Sequence, residues 1–101
     1  MIRHIVAFRL VAEDPDSRRR DAAAMRTRLE ALVDVVPGVL AIEVHEDLET
    51  RATNWSVILV SEFESSDALG AYLVHPRHQA VVSWMNDGIV SDRVAVDYNA
   101  R

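Results

Sequence analysis

Cysteine is absent from the sequence, so disulfides, zinc–thiolate centres and cysteine nucleophiles are excluded, and nothing indicates an oxidising compartment. Lysine is absent as well: all 11 basic residues are arginines, and apart from Arg18-Arg19-Arg20, which reads as a solvated helix face, they are scattered. Positive charge is in deficit, with 16 acidic residues and a net charge of −5, which repels phosphate backbones and excludes nucleic acid as an expected partner. Long hydrophobic runs are missing too. The apolar start, Ile2 to Phe8, is too short for a signal peptide and no small-residue cleavage site follows it, so no membrane role is expected and the cytoplasm is the expected location. No Ser/Gly/Pro-rich stretch or charge block divides the chain, so residues 1–101 read as one domain.

What is present suffices for a core. Hydrophobic residues make up 50% and charged residues 27% of the chain. A chain of this size buries roughly 60–70% of the surface its unfolded form exposes, so no metal or disulfide staple is needed.

Hydrophobic periodicity gives the element order. Residues 2–10 alternate, with Ile2, His4, Val6, Phe8 and Leu10 on one face, and form a strand. Asp14-Pro15 supplies an N-cap acceptor and a proline at the first helical position. Met25, Leu29, Leu32, Val33 and Val36 then recur at helical spacing until Pro37-Gly38. Val39–Leu48 and Trp55–Phe63 read as two strands of a hairpin joined by the turn 49–54. Ser65 caps a short helix bearing Leu69, Tyr72 and Leu73, which must yield at His75 because Pro76 follows. A second helix runs from Pro76 past Val81, Val82 and Trp84 to Asp87-Gly88, and Val90–Tyr98 closes the chain as a strand.

The order β-α-β-β-α-β predicts an α+β, ferredoxin-like protein with a four-stranded antiparallel sheet and helices on one face. Ile5-Val6-Ala7-Phe8 and Val57-Ile58-Leu59-Val60 are apolar on both sides of the pleat, so the helix-free face also demands cover. A homodimer through that face is the expectation; a monomer with the face softened by Arg3, Arg9 and Glu62 is the alternative.

Four segments carry a family resemblance: Arg3 to Leu10, Phe63-Glu64-Ser65, Tyr72-Leu73-Val74-His75-Pro76-Arg77-His78, and Val96-Asp97-Tyr98. Together they resemble the stress-responsive A/B barrel family. That resemblance implies a dimeric α+β barrel of two face-to-face sheets. It also implies two function classes, namely plant stress-associated proteins without a settled catalytic role and polyketide cyclases similar to olivetolic acid cyclase.

By the resemblance, His78 is the catalytic base and Tyr72 orients it and the substrate. The residues themselves add a reason: His78 falls in the first turn of the helix that Pro76 opens, where the positive dipole end disfavours imidazolium and leaves a proton acceptor. Against this stands a purely structural role for both His75 and His78, and His75, next to proline, is read as holding the turn. His4 is assigned to substrate binding with Phe8 and Trp84, although each also fits a core position. Asp97 is able to fix a histidine tautomer, but its direction is not set by the pattern. No cofactor and no bound metal are expected, since no carboxylate completes a site with His4, His75 and His78. The functional expectation is thus a cofactor-free cyclase or isomerase acting on a polyketide-like or aromatic small molecule. The alternatives are a non-catalytic stress-response or metabolite-binding dimer and, by analogy of fold alone, a cofactor-free monooxygenase.

Overall fold

The computed structural model describes residues 1–100. Its elements are β1 (Ile2–Leu10), α1 (Pro15–Glu30), a 3-10 turn (Ala31–Asp34), β2 (Val39–Glu46), β3 (Val57–Phe63), α2 (Ser66–Leu73), α3 (Pro76–Asn86) and β4 (Val90–Asn99). The strands form one antiparallel sheet in the order β2-β3-β1-β4, the ferredoxin-like arrangement expected from the sequence.

Alternation along β1 decides what the sheet buries. His4, Val6, Phe8 and Leu10 are buried, while Ile5 and Ala7 between them are only half-buried. The buried set meets Met25 and Leu29 of α1, Val44 of β2, Leu59 and Phe63 of β3, Tyr72 of α2 and Met85 of α3 in one apolar core. Antiparallel partners share a face, so the register Ile5↔Val96 and Ile5↔Val60, with Ala7↔Val94 and Ala7↔Ile58, places these six residues together on the helix-free side. Ile58, Val94 and Val96 stay exposed there.

Local chemistry sets the helix ends. The Asp14 carboxylate accepts from the Ser17 N–H at 2.9 Å, and the Ser65 hydroxyl accepts from the Ala68 N–H at 3.1 Å, so α1 and α2 both begin on the expected caps. The expected long first helix stops early, at Glu30, and tightens into 3-10 geometry in which Val35 and Val36 both donate to the Leu32 carbonyl. Pro37 disfavours helical geometry at Val36, and Gly38, at φ +84°, then turns the chain into β2. A Cβ on Gly38 would lie 2.7 Å from the Ala68 Cβ, so β2 enters the sheet hard against α2.

The hairpin strands are shorter than the alternation suggested, ending at Glu46 and starting at Val57. Trp55 is drawn out of the ladder under Arg9, whose guanidinium sits 4.5 Å from its ring centroid, and Glu49 adopts φ +60° in the turn.

Candidate functional site

The break between α2 and α3 builds the site. In an unbroken helix the Leu73 carbonyl would accept from the N–H of residue 77. Here His75 becomes the N-cap of α3, and its Nδ1 accepts the Arg77 N–H at 3.1 Å. The expected turn-holding role of His75 is therefore what its geometry serves. The Leu73 carbonyl, released from the helix, receives His78 Nδ1 at 3.2 Å and Gln79 Nε2 at 2.8 Å.

That contact fixes the chemistry of His78. A carbonyl only accepts, so Nδ1 carries the proton and Nε2 keeps its lone pair. Burial pulls the imidazole below its ordinary value, and the nearby charges of His4, Arg93 and His75 act in the same direction, against the opposing pull of the Leu73 carbonyl. The ring is thus held neutral with one nitrogen free.

Tyr72 lies against it, with ring centroids 4.2 Å apart at an interplanar angle of 40°. The tyrosine is 1% exposed, and its hydroxyl is a buried oxygen without a partner. Burial pushes the phenol well above its ordinary value, so it remains an O–H donor. A buried donor left unpaired costs about 1–3 kcal/mol, so this hydroxyl is an energetic liability unless something else uses it.

The aromatic contacts continue inward, Tyr72 to Phe63 at 4.9 Å and Phe63 to His4 at 6.3 Å. His4 is 8% exposed, and its Nδ1 lies 2.5 Å from Oδ1 of Asp97. The register His4↔Asp97 puts the two on neighbouring strands and on the helix side of the sheet. Asp97, whose direction the sequence left open, is therefore the group that orients His4.

His4, Tyr72 and His78 are joined by one chain of ring contacts through Phe63; Phe8 and Trp84 do not join them. Phe8 is sealed in the core at 3% exposure, with the Arg93 guanidinium 5.6 Å from its ring centroid. Trp84 turns toward α1, where Arg28 sits 4.3 Å from its ring centroid. Six residues along α3 from His78, it points about 120° away around the helix axis. The aromatic pair that stands beside the histidines is instead Phe63 and Tyr72.

Two cavities open elsewhere. One of about 720 Å³ is lined by Arg9, Leu10, Arg18, Glu49, Arg51 and Trp55 among others, and one of about 430 Å³ by Ala7, Leu48, Trp55 and Ile58 among others. Both lie toward the hairpin end of β1, their linings starting about 10 Å (Ala7) and about 17 Å (Arg9) along the strand from His4. Neither is lined by His78. What flanks His4 instead is the uncovered helix side of β4, where Ala95 and Asp97 are exposed.

Among the described residues, no group of three or more histidine, aspartate or glutamate side chains converges as metal ligands would, and no helix is long and apolar enough to cross a membrane.

Comparison with known proteins adds the relationships. The family model described as Stress responsive A/B Barrel Domain matches residues 2–100. The stress-response A/B barrel domain-containing protein DABB1 of Arabidopsis thaliana is 29% identical over 100 residues, which is 99% of this chain and 47% of that protein. The chain thus spans about half the length of that relative. A dimeric protein of unknown function and ferredoxin-like fold from Bacteroides fragilis is 27% identical and superposes with a TM-score of 0.85, over 98% of this chain and 95% of the other. A dimeric ferredoxin-like protein of unknown function from Thermobifida fusca is 29% identical with a TM-score of 0.79, over 98% and 90% of the two chains.

Proposed function

The chain belongs to the stress-responsive A/B barrel domain family, and from that premise we propose that it is a cofactor-free enzyme of the cyclase or isomerase type with His78 as its general base. The observation that carries this reading is the Nδ1 contact of His78 with the Leu73 carbonyl, which leaves Nε2 as a neutral acceptor on a half-buried ring.

The chemistry follows from those two nitrogens. Nε2 takes a proton from a carbon next to a carbonyl, and the C–H electron pair forms a carbon–carbon double bond while the carbonyl π pair moves to oxygen. The unpaired Tyr72 hydroxyl, sealed from solvent in the ligand-free chain, reaches the enolate oxygen when a bound ligand parts the rings around it, and then stabilises the charge as it develops. The enolate then either takes the proton back from His78 at a different atom, as an isomerase requires, or attacks through carbon a second carbonyl of the same molecule, whose oxygen recovers the proton from His78. In both cases His78 ends neutral.

We also propose that the working unit is a homodimer joined through the helix-free sheet face, as the dimeric relatives suggest. The charges at one edge of that face are already spent within the chain, since Arg3 bonds Glu62 at 2.7 Å and donates to the Tyr98 hydroxyl at 3.1 Å. The middle, Ile5, Ala7, Ile58, Val60, Val94 and Val96, is uniformly apolar and suits a self-complementary two-fold contact.

A second reading, a non-catalytic stress-response or metabolite-binding dimer, is favoured by one observation: the two cavities lie away from His78. One experiment separates the two. Pentane-2,4-dione in deuterium oxide exchanges its central protons in the presence of a suitable base, and NMR follows the rate. The enzyme reading expects wild type to accelerate exchange over buffer and His78→Ala to lose that acceleration. Equal rates for wild type and His78→Ala leave the non-catalytic reading.

A further inference from the structure

Of the two cavities, the larger carries chemistry that the His78 site does not use. Its volume of about 720 Å³ lies within the range of roughly 300–1,000 Å³ typical of small-molecule pockets. It opens where the start of α1 faces the loop between β2 and β3. Three arginines line it, Arg9, Arg18 and Arg51, against two carboxylates, Asp47 and Glu49.

Both carboxylates are already engaged. Glu49 receives Arg18 through Nε at 2.6 Å and Nη2 at 3.3 Å, a two-pronged bridge that ties the loop to α1. Asp47 accepts the Asn54 side-chain amide at 3.1 Å and the Glu49 N–H at 2.8 Å. Arg9 and Arg51 are not engaged: among the described residues neither guanidinium donates a hydrogen bond, and neither has a carboxylate within 4 Å. Arg9 lies over the Trp55 ring, 4.5 Å from its centroid, which holds the guanidinium in place and leaves its N–H edges free. Asp92, opposite Arg9 in the register, turns Oδ1 to the backbone N–H of Arg93 instead. Arg28, Arg77 and Arg93 also lack a carboxylate, but none of them lines this cavity. Two uncompensated guanidiniums in one cavity, in a chain of net charge −5, set this place apart.

We infer that this cavity is a second binding site, which takes a phosphorylated, hydroxyl-bearing small molecule. Two free positive charges match a phosphate monoester, which carries about −1.5 to −2 at pH 7, whereas a carboxylate is matched by one. The planar guanidinium forks suit its oxygens. The rest of the lining suits a hydroxylated body. Thr50 and Ser91 bring hydroxyls, and the Ser56 hydroxyl, which accepts the Leu10 N–H at 3.4 Å, still has a proton to donate. The cavity shares no residue with the His4, Tyr72 and His78 chain of rings, so its ligand is independent of whether His78 acts as a base.

The test titrates glucose 6-phosphate, glucose and glucuronate into the protein at constant ionic strength. NMR follows the Trp55 indole N–H, and calorimetry gives each Kd. Wild type is expected to bind glucose 6-phosphate at least ten times more tightly than either comparison sugar, with the Trp55 signal moving and the His78 ring signals still. Arg9→Gln and Arg51→Gln are each expected to weaken that binding at least five-fold, and Arg51→Lys to keep part of it. Arg77→Gln, which removes an arginine without a carboxylate outside the cavity, is expected to leave the affinity within two-fold. Thermal melts matching wild type establish that the variants are folded. Glucuronate binding as tightly as glucose 6-phosphate would overturn the assignment to a phosphate. A Trp55 signal that glucose 6-phosphate leaves unmoved, or an Arg77→Gln loss equal to those of Arg9→Gln and Arg51→Gln, would overturn the site itself.

Discussion

Asp97 on β4 lies 2.5 Å from Nδ1 of His4 on β1, a pair of residues 93 positions apart in sequence that antiparallel register sets side by side. The contact holds the His4 ring edge-on to Phe63, at the end of the Phe63–Tyr72–His78 chain of rings, and ties the edge strand to the site. Asp97 is half-exposed, so its contribution to stability is modest. Asp97→Asn is expected to cost about 1 kcal/mol in urea unfolding while broadening or doubling the His4 ring signals in NMR. A loss of stability with unchanged His4 signals would contradict the orienting role.

Tyr72 offers a separation of stability from activity. Because its hydroxyl is buried without a partner, Tyr72→Phe removes a cost and no hydrogen bond. The variant is expected to be as stable as wild type or more stable by up to about 1 kcal/mol, and to lose catalysed proton exchange. Destabilisation by more than about 1 kcal/mol would mean that the hydroxyl has a partner after all.

The depressed titration of His78 makes stability pH-dependent. Its folded pKa lies below the unfolded value of about 6.5, so the native state holds fewer protons than the unfolded chain as pH falls. The contribution is complete above pH of about 6.5 and is lost progressively on acidification through the folded pKa. His78→Gln is therefore expected to flatten the decline in unfolding free energy between pH 7 and pH 5. Parallel curves for wild type and variant would remove the basis for a neutral His78.

The two glycines on either side of the α2 contact respond oppositely to alanine. Gly38 needs φ +84° and would drive its Cβ to 2.7 Å from Ala68, so Gly38→Ala is expected to cost about 2 kcal/mol or more. Gly70 lies within α2 with nothing within 4 Å of a new Cβ, and Gly70→Ala is expected to stabilise by about 0.5–1 kcal/mol. Thermal unfolding of the two variants reads both signs.

On the helix-free face, a charge at Val96 tests the assembly. Val96 is 61% exposed in the isolated chain and lies on the edge strand β4, beside Ile5 in the apolar patch. Val96→Asp is expected to convert a dimer to a monomer in sedimentation, since a charge buried without a partner costs several kcal/mol. A species of unchanged mass would move the interface elsewhere.

Much of this was legible in the sequence, for a reason specific to each element. Alternation along residues 2–10 set the buried face of β1, and with it the inward direction of His4. The proline at 76 forced the break between α2 and α3, and so marked the place where a carbonyl would lose its helical partner. What the pattern did not carry was pairing at a distance. Whether Asp97 or Tyr98 turns toward the histidines depends on the register of β4 against β1, which no local spacing encodes. Phe8 and Trp84 were read as site residues from size and face alone. Arg93 and Arg28 lie over those two rings, and a cation on a distant element leaves no local signal. The early end of α1 was hidden because Leu32, in the 3-10 turn, and Val36, just beyond it, keep helical spacing and both stay buried.

The central claim is that His78 presents a free Nε2, and nitrogen-detected NMR of the histidine rings tests it most directly. Long-range nitrogen–proton correlations distinguish the two neutral tautomers, and a pH series gives the titration midpoint. The account predicts the Nδ1–H tautomer for His78 and a midpoint below the ordinary histidine value of about 6.5. A dominant Nε2–H tautomer, or a midpoint above that value, would contradict it.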